Sequence, residues 1–477
     1  MLFFQDRNET LLAHIRNGQV MNSREKLLLL FHLSIPSILA QISSVVMFII
    51  DQAMVGRLGT RATAAIGIVE TTTWLFGGLT SAASMGFSVQ VAHFIGANDF
   101  ISARRVVRTG LIATFVSAMT ILLIGVLIAC PLPFWLGGKD DIAHDATMYF
   151  LIFALTIPFF QLYSLSAAML KSAGDMQRPS IMSVLMCLLD VVFNFVLIFP
   201  SRTVGWLGVS WWIPGAGMGV TGAAIGTSLS IIVTALILGW MAFLRSPILS
   251  IWQEKVHSFF SWNYLRQALR ISSPMGLQVF LMGSAQVVST MIVSPLGNVA
   301  IAANTIAITA ESLCYMPGYG IGEAATTLAG QSLGAGRLDL SKSFARLSVF
   351  TGMLVMALMG VVMFFTAYEM MALMTPVEET RLLGAVCLRI EAFAEPMFGA
   401  AIVTYSICVG AGNTLRPALY NLVCMWGVRL SLAYRLAMDY GLQGVWMAMA
   451  AELTLRGTVF LFLLFKGKWM KNTIRRE

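Results

Sequence analysis

Residues 36–59 read PSILAQISSVVMFIIDQAMVGRLG. The run is apolar over about the 20 residues that one helix needs to cross a bilayer, yet it contains Asp51. A carboxylate near the middle of such a helix costs roughly 2.5–3.5 kcal/mol on insertion scales and marks a functional position by default. Residues 274–297, PMGLQVFLMGSAQVVSTMIVSPLG, repeat the pattern 238 positions later without the acid. One copy is charged and the other is not.

The rest of the chain agrees with a membrane reading. Of its 477 residues, 57% are hydrophobic and only 11% are charged, against about a quarter charged in soluble domains. The apolar runs are long and continuous, with Gly and Pro inside them, which suits membrane helices and argues against a β-barrel. The net charge of +8 does not point to nucleic acid, because the basic residues sit between apolar runs and act as topology markers. Six cysteines lie in or at the ends of apolar stretches without ligand spacing, so neither disulfides nor a metal is expected. The N-terminus, MLFFQDRNETLLAHIRNG, has no signal-peptide core.

Hydropathy predicts twelve spans, near 33–57, 62–88, 105–129, 144–170, 180–200 and 217–243, then 268–295, 300–330, 343–366, 380–410, 416–436 and 442–465. With both termini in the cytoplasm, the inner segments hold 22 Lys and Arg and the outer segments six, a clear positive-inside bias. The expected organisation is a cytoplasmic segment (1–31), a first lobe (32–244), a linker (245–267), a second lobe (268–465) and a basic tail (466–477). The linker contains Trp and charged residues and could hold an interfacial helix.

The repeat extends far beyond the first span. At the 238-residue shift Gly96-Ala97 meets Gly334-Ala335, Pro158 meets Pro396, Gly174 meets Gly412 and Arg178-Pro179 meets Arg416-Pro417. Later, GVTG (219–222) meets GLQG (441–444) at a shift of 222, so the first half carries extra residues within 201–217. Gly and Pro carry the match. A repeat of six spans leaves both copies the same way up, giving an all-α protein of two parallel six-helix bundles around a central cleft. In the repeated loops a helix ends at Gly and the next starts at Asn or Asp, as caps prefer.

Taken together, P-x14-D-x4-G-x2-G (Pro36, Asp51, Gly56, Gly59), IGAND-x4-ARR (95–105), AGQSLGAGR (329–337), AGNTLRP (411–417) and MWGVRLSLAY (425–434) resemble the multidrug and toxic compound extrusion (MATE) family over about residues 30–465. The resemblance implies twelve helices in two lobes, a cleft that opens alternately to either side, and export of cationic or amphipathic compounds driven by inward H+ or Na+. It also places the ion-binding acid of the first lobe at Asp51. Two positions depart from the pattern: Met282 stands where some branches carry a span-7 Glu, and Ser431 replaces a Pro.

Several polar residues within the spans could carry the chemistry. Asp190 and Asn194 are one helical turn apart and share a face. With Asp51 they could form an oxygen-rich pocket for a proton or Na+, since hard cations choose oxygen ligands. Thr227 and Gln161 are further candidates. In the second half Glu311, Glu323, Glu391 and Glu395 could line an acidic substrate cleft. Glu452, Arg429 and Arg456 lie in nearby spans, where charges usually pair. Glu70 could face either the cleft or its own bundle. The expected protein is a monomeric secondary antiporter of the inner (plasma) membrane, using H+ or Na+ and no other cofactor. ATP use is not expected, since no GxxxxGK[ST] loop appears. The alternative from the same superfamily is a flippase for lipid-linked oligosaccharides or other lipids, whose cleft would be rich in cations; here, leaving aside the charges at the span ends, eight acids lie within the spans against three basic residues (Arg389, Arg429 and Arg456). An enzyme is disfavoured, because the five His are dispersed.

Overall fold

The computed structural model describes residues 2–206, 209–252 and 260–470. After a first helix, α1 (Leu2–Arg16), come α2 (Ser23–Gly56), α3 (Thr60–Gly96) and α4 (Phe100–Ile128). A single turn, α5 (Leu132–Trp135), leads into α6 (Asp140–Ser172) and α7 (Gln177–Ile198). Two strands, β1 (Pro200–Trp206) and β2 (Val209–Ala216), precede α8 (Gly219–Trp240). The second half holds α9 (Trp262–Val293), α10 (Asn298–Gly334), α11 (Leu338–Met374), α12 (Glu378–Ala392), α13 (Glu395–Gly410), α14 (Leu415–Leu422) and α15 (Leu430–Phe465). A π-helical segment, Val423–Arg429, joins the last two.

Among the described residues, nine helices are long and apolar enough to cross a membrane, or ten if the bent pair α12–α13 counts as one crossing. Their outer faces are apolar. On α11, Phe350, Leu354, Leu358, Val361 and Phe365 form an exposed stripe at helical spacing. In water such a stripe would be a liability; against lipid it needs no cover.

The repeat is visible in the backbone. Gly59 and Gly297 take φ of 103° and 99°, Gly174 and Gly412 take 90° and 75°, and Gly219 and Gly441 take 57° and 58°. Each pair starts or separates equivalent helices in a left-handed conformation that side chains resist. At Gly441 the last long helix folds back on itself, which brings Met449 against Arg429.

Some features differ from the sequence expectation. The extra residues of the first half form an antiparallel hairpin, with Thr203 opposite Trp212 and Trp206 opposite Val209; their Val, Trp and Thr content favours strand over helix. Residues 1–31 hold α1 and the start of α2. Leu11, Leu12 and Ile15 of α1 are buried against Leu29 and Leu33 of α2 and Phe344 of α11. Of the linker expected over 245–267 with an interfacial helix, residues 246–252 form turns and α9 already begins at Trp262; residues 253–259, and most of the basic tail (471–477), lie outside the described residues. α3 and α10 run to Gly96 and Gly334, past the expected 88 and 330, because their polar ends are buried. His93 Nε2 lies 2.8 Å from Gly410 O, and Gln331 Nε2 donates to Ser172 O at 2.8 Å.

The span expected over 380–410 is broken, with α12 and α13 bent by 61°. Pro396 sits in the first turn of α13, while its repeat partner Pro158 lies inside the unbroken α6. Gly360 of α11 packs at the bend, where a Cβ would stand 2.7 Å from Ala392 O.

The described hydrogen bonds between the two halves of the chain lie at the Lys/Arg-rich end. Lys26 reaches Ser343, Gln90 reaches Tyr264 O and Thr327 reaches Lys171 O. At the opposite end no hydrogen bond joins the halves among the described residues.

Candidate functional site

A cavity of about 620 Å³ lies between the halves. Its wall is soft and aromatic, with Met47, Phe48, Trp74, Met85, Phe160 and Met275 among its residues. The charged side chains on the wall are Asp51, Glu70, Lys171 and Glu323.

Asp51 is reached from α7. Asn194 Nδ2 donates to Asp51 Oδ1 at 2.9 Å and to Asp190 Oδ2 at 3.1 Å. Asp190 and Asn194 are 0% and 1% exposed, whereas Asp51 is half-buried and faces the cavity. One amide therefore ties two carboxylates together across α2 and α7. Asp190 Oδ1 and Asn194 Oδ1 have no close hydrogen bond among the described residues, although Thr227 of α8 stands beside the Asp190 carboxylate. Tyr149 of α6 lies within electrostatic reach of Asp51, Asp190 and Glu70.

Small residues on α8 make this geometry attainable. A Cβ at Gly222 would stand 2.5 Å from Leu197 O, and one at Gly226 would overlap Asn194 Oδ1. Glycines one turn apart let membrane helices approach closely, and here they let α8 pass against the face of α7 that carries Asn194. No polar signature marks Gly226, which is why sequence reading passes over it.

The other candidates divide. Gln161 of α6 donates to Ser84 of α3 at 2.7 Å and is not part of the cavity wall; it fastens two helices. Glu70 lies on the wall, with Gln52 Nε2 and Trp74 Nε1 each 3.5 Å from its Oε1. Glu323 also lies on the wall, paired with Lys171 at 2.7 Å and with Gln41 at 3.1 Å. Sequence reading missed Lys171 and Gln41, since neither is unusual in its own stretch.

Glu311, Glu391 and Glu395 are placed elsewhere. All three are buried, at 5%, 0% and 0% exposure, and none lines the cavity. They gather inside the second half with Glu452, Arg429 and Arg456. Arg456 Nε is 2.9 Å from Glu452 Oε1, and Arg429 lies within electrostatic reach of Glu311, Glu391 and Glu452. Neither oxygen of Glu391 or Glu395 has a hydrogen-bond partner among the described residues. Met282, where a Glu stands in some family branches, packs with Met425 and Leu430, so that part of α9 offers no acid to the second half.

Comparison with known proteins identifies the family. The family model described as MatE matches residues 36–196 and again 274–435, the two copies found as an internal repeat. The chain is 26% identical over 455 residues to a probable multidrug resistance protein NorM of Thermotoga maritima, covering 93% of each chain. It is 23% identical over 448 residues to the probable multidrug resistance protein YoeA of Bacillus subtilis, covering 93% of this chain and 94% of the other. Among solved structures, a MATE protein in complex with MaL6 matches with a TM-score of 0.86 at 20% identity, over 97% of this chain and 99% of that one. The chain belongs to the MatE family and is a multi-pass membrane transporter, not an enzyme.

Proposed function

We propose that the protein is a multidrug efflux antiporter that exports cationic or amphipathic organic compounds in exchange for H+ or Na+. The observation that carries this reading is the Asp51–Asn194–Asp190 cluster on the wall of a soft cavity between the two halves. Two carboxylates on one amide can share a proton, or offer oxygens to Na+. Occupying the cluster would draw α2 towards α7 and alter the wall that holds the substrate. Acids outnumber the base on that wall, three to one, which suits a cationic substrate. The names borne by the similar proteins from Thermotoga and Bacillus support drug export.

The helices are read as twelve crossings in two six-helix lobes (32–244 and 268–465). Alongside the apolar helices, α3 crosses despite its polar content, and the chain after Gly441 forms the last crossing. Positive-inside bias puts the Lys/Arg-rich end and both termini in the cytoplasm, with the protein in the inner (plasma) membrane as a monomer. The hydrogen bonds between halves at that end then make this form outward-open. Support comes from a solved MATE transporter described as outward-facing, which matches with a TM-score of 0.85 at 20% identity over 94% of this chain.

The test is dye efflux from proteoliposomes under an imposed pH gradient, an imposed Na+ gradient, or neither. Export driven by either gradient and absent without one is the expected result. If neither gradient moves dye but a labelled polyprenyl-pyrophosphate lipid crosses the bilayer, the flippase reading replaces this one.

A further inference from the structure

The bonds between halves at the Lys/Arg-rich end mostly use backbone carbonyls or neutral side chains, but one is an ion pair. Lys171 Nζ of α6 lies 2.7 Å from Glu323 Oε1 of α10, and Gln41 Nε2 of α2 donates to the same oxygen at 3.1 Å. The other ion pairs described, such as Arg61–Asp145 and Arg456–Glu452, each stay within one half. Lys171 and Glu323 are partly exposed, at 21% and 27% of their side chains, and the exposed part faces the cavity. Glu323 Oε2 is buried without a hydrogen-bond partner among the described residues. Lys171 is held at both ends of its residue, since its carbonyl accepts from Thr327 Oγ1 at 3.0 Å. Gln41 is ten residues before Asp51 on α2, about 15 Å along the helix, so this pair is remote from the Asp51 cluster. Among the described residues on the wall, Lys171 is the one cation.

We propose that Glu323 is a binding residue for the cationic group of the substrate and that Lys171 is its tethered competitor. The inference rests on the alternating-access reading. Any motion that opens the Lys/Arg-rich end must part α6 and α2 from α10, and Glu323 then loses both Lys171 and Gln41. A carboxylate left unpaired in a low-dielectric cleft attracts an organic cation entering from that side. When the end closes again, Lys171 returns at the high effective concentration of a tethered group and takes the carboxylate back. The substrate then faces the opposite side without its counter-ion. The pair thus works against rebinding in the form described here, at a point distinct from the coupling cluster.

The experiment is tetraphenylphosphonium binding to the purified full-length protein in lipid nanodiscs, with thermal melting as the folding control. Lys171→Gln removes the competing charge and should tighten binding about tenfold, while Glu323→Gln should weaken it about tenfold. The double variant should bind no better than Glu323→Gln alone, and Lys171→Arg should bind like wild type. Lys171→Met serves as the second neutral variant if Lys171→Gln melts early. Unchanged or weaker binding in the neutral variants overturns the proposal, as does tightening that persists without Glu323. Because binding is read without transport, a wild type that binds the cation but exports nothing under any gradient would sink the antiport reading and not this measurement.

Discussion

Asp51→Asn is expected to leave the protein folded and to lower gradient-driven efflux by about 10- to 100-fold, within the 5- to 150-fold range that an ordinary coupling free energy of 1–3 kcal/mol represents. The substitution keeps the shape that Asn194 grips at 2.9 Å. It removes the charge that would take up a proton or help to hold Na+. Asp190 is fully buried and does not line the cavity, so Asp51 is the carboxylate of the cluster that meets the entering ion. The measurement is dye efflux from proteoliposomes under the effective gradient, alongside exchange of dye at equal concentrations without one. Gradient-driven export should fall while passive exchange persists. Equal rates in wild type and variant would make Asp51 a structural acid.

Arg456→Leu is expected to cost about 3–5 kcal/mol of stability, the usual result of leaving one partner of a buried ion pair uncompensated. Arg456 grips Glu452 through two contacts, Nε to Oε1 at 2.9 Å and Nη2 to Oε2 at 3.2 Å. Glu452 is 0% exposed. The guanidinium also lies 5.6 Å from the centre of the Phe398 ring, which adds a cation–π contact. Removing both charges, as Glu452→Leu with Arg456→Leu, should restore most of the loss, since a buried pair is often no better than well-packed apolar residues. Thermal unfolding in detergent would show a large drop for the single variant and a small one for the double. A double variant as unstable as the single would mean that the other acids of the second half, Glu311, Glu391 and Glu395, depend on Arg456 as well.

How much of this could be read from the chain depends on whether the cause is local. Gly59, Gly174 and Gly219 and their partners Gly297, Gly412 and Gly441 are legible because a left-handed turn demands glycine in each copy. Asp190 and Asn194 are legible as one helical turn, and Asp51 as a charge that a membrane helix carries only for a reason. What joins them is not local. Asn194 lies 143 residues from Asp51, and it is the packing of α7 against α2 that brings the two together. Lys171 and Glu323 are 152 residues apart on helices of different halves, and nothing in either stretch points to the other. Gln161 looked like a site residue because it is polar within an apolar run, yet its partner is Ser84 on the neighbouring helix. Hydropathy also ends too soon for α3 and α10, whose last turns are polar and buried. It cannot tell Pro396, in the first turn of α13 after a bend, from Pro158, inside the unbroken α6, because both stand in the same kind of apolar run.

An ion at the Asp51 cluster is expected to set which end of the molecule is open. The most direct measurement is the distance between spin labels at Thr60 and Asn298, the exposed starts of α3 and α10, in a background with the six native cysteines replaced. It would be made across pH and Na+ concentration, for wild type and for Asp51→Asn. In wild type the distance distribution should shift between two populations as one of these ions is added, and in Asp51→Asn it should stay fixed. A shift of the same size in both proteins would contradict this expectation and move the coupling site away from Asp51.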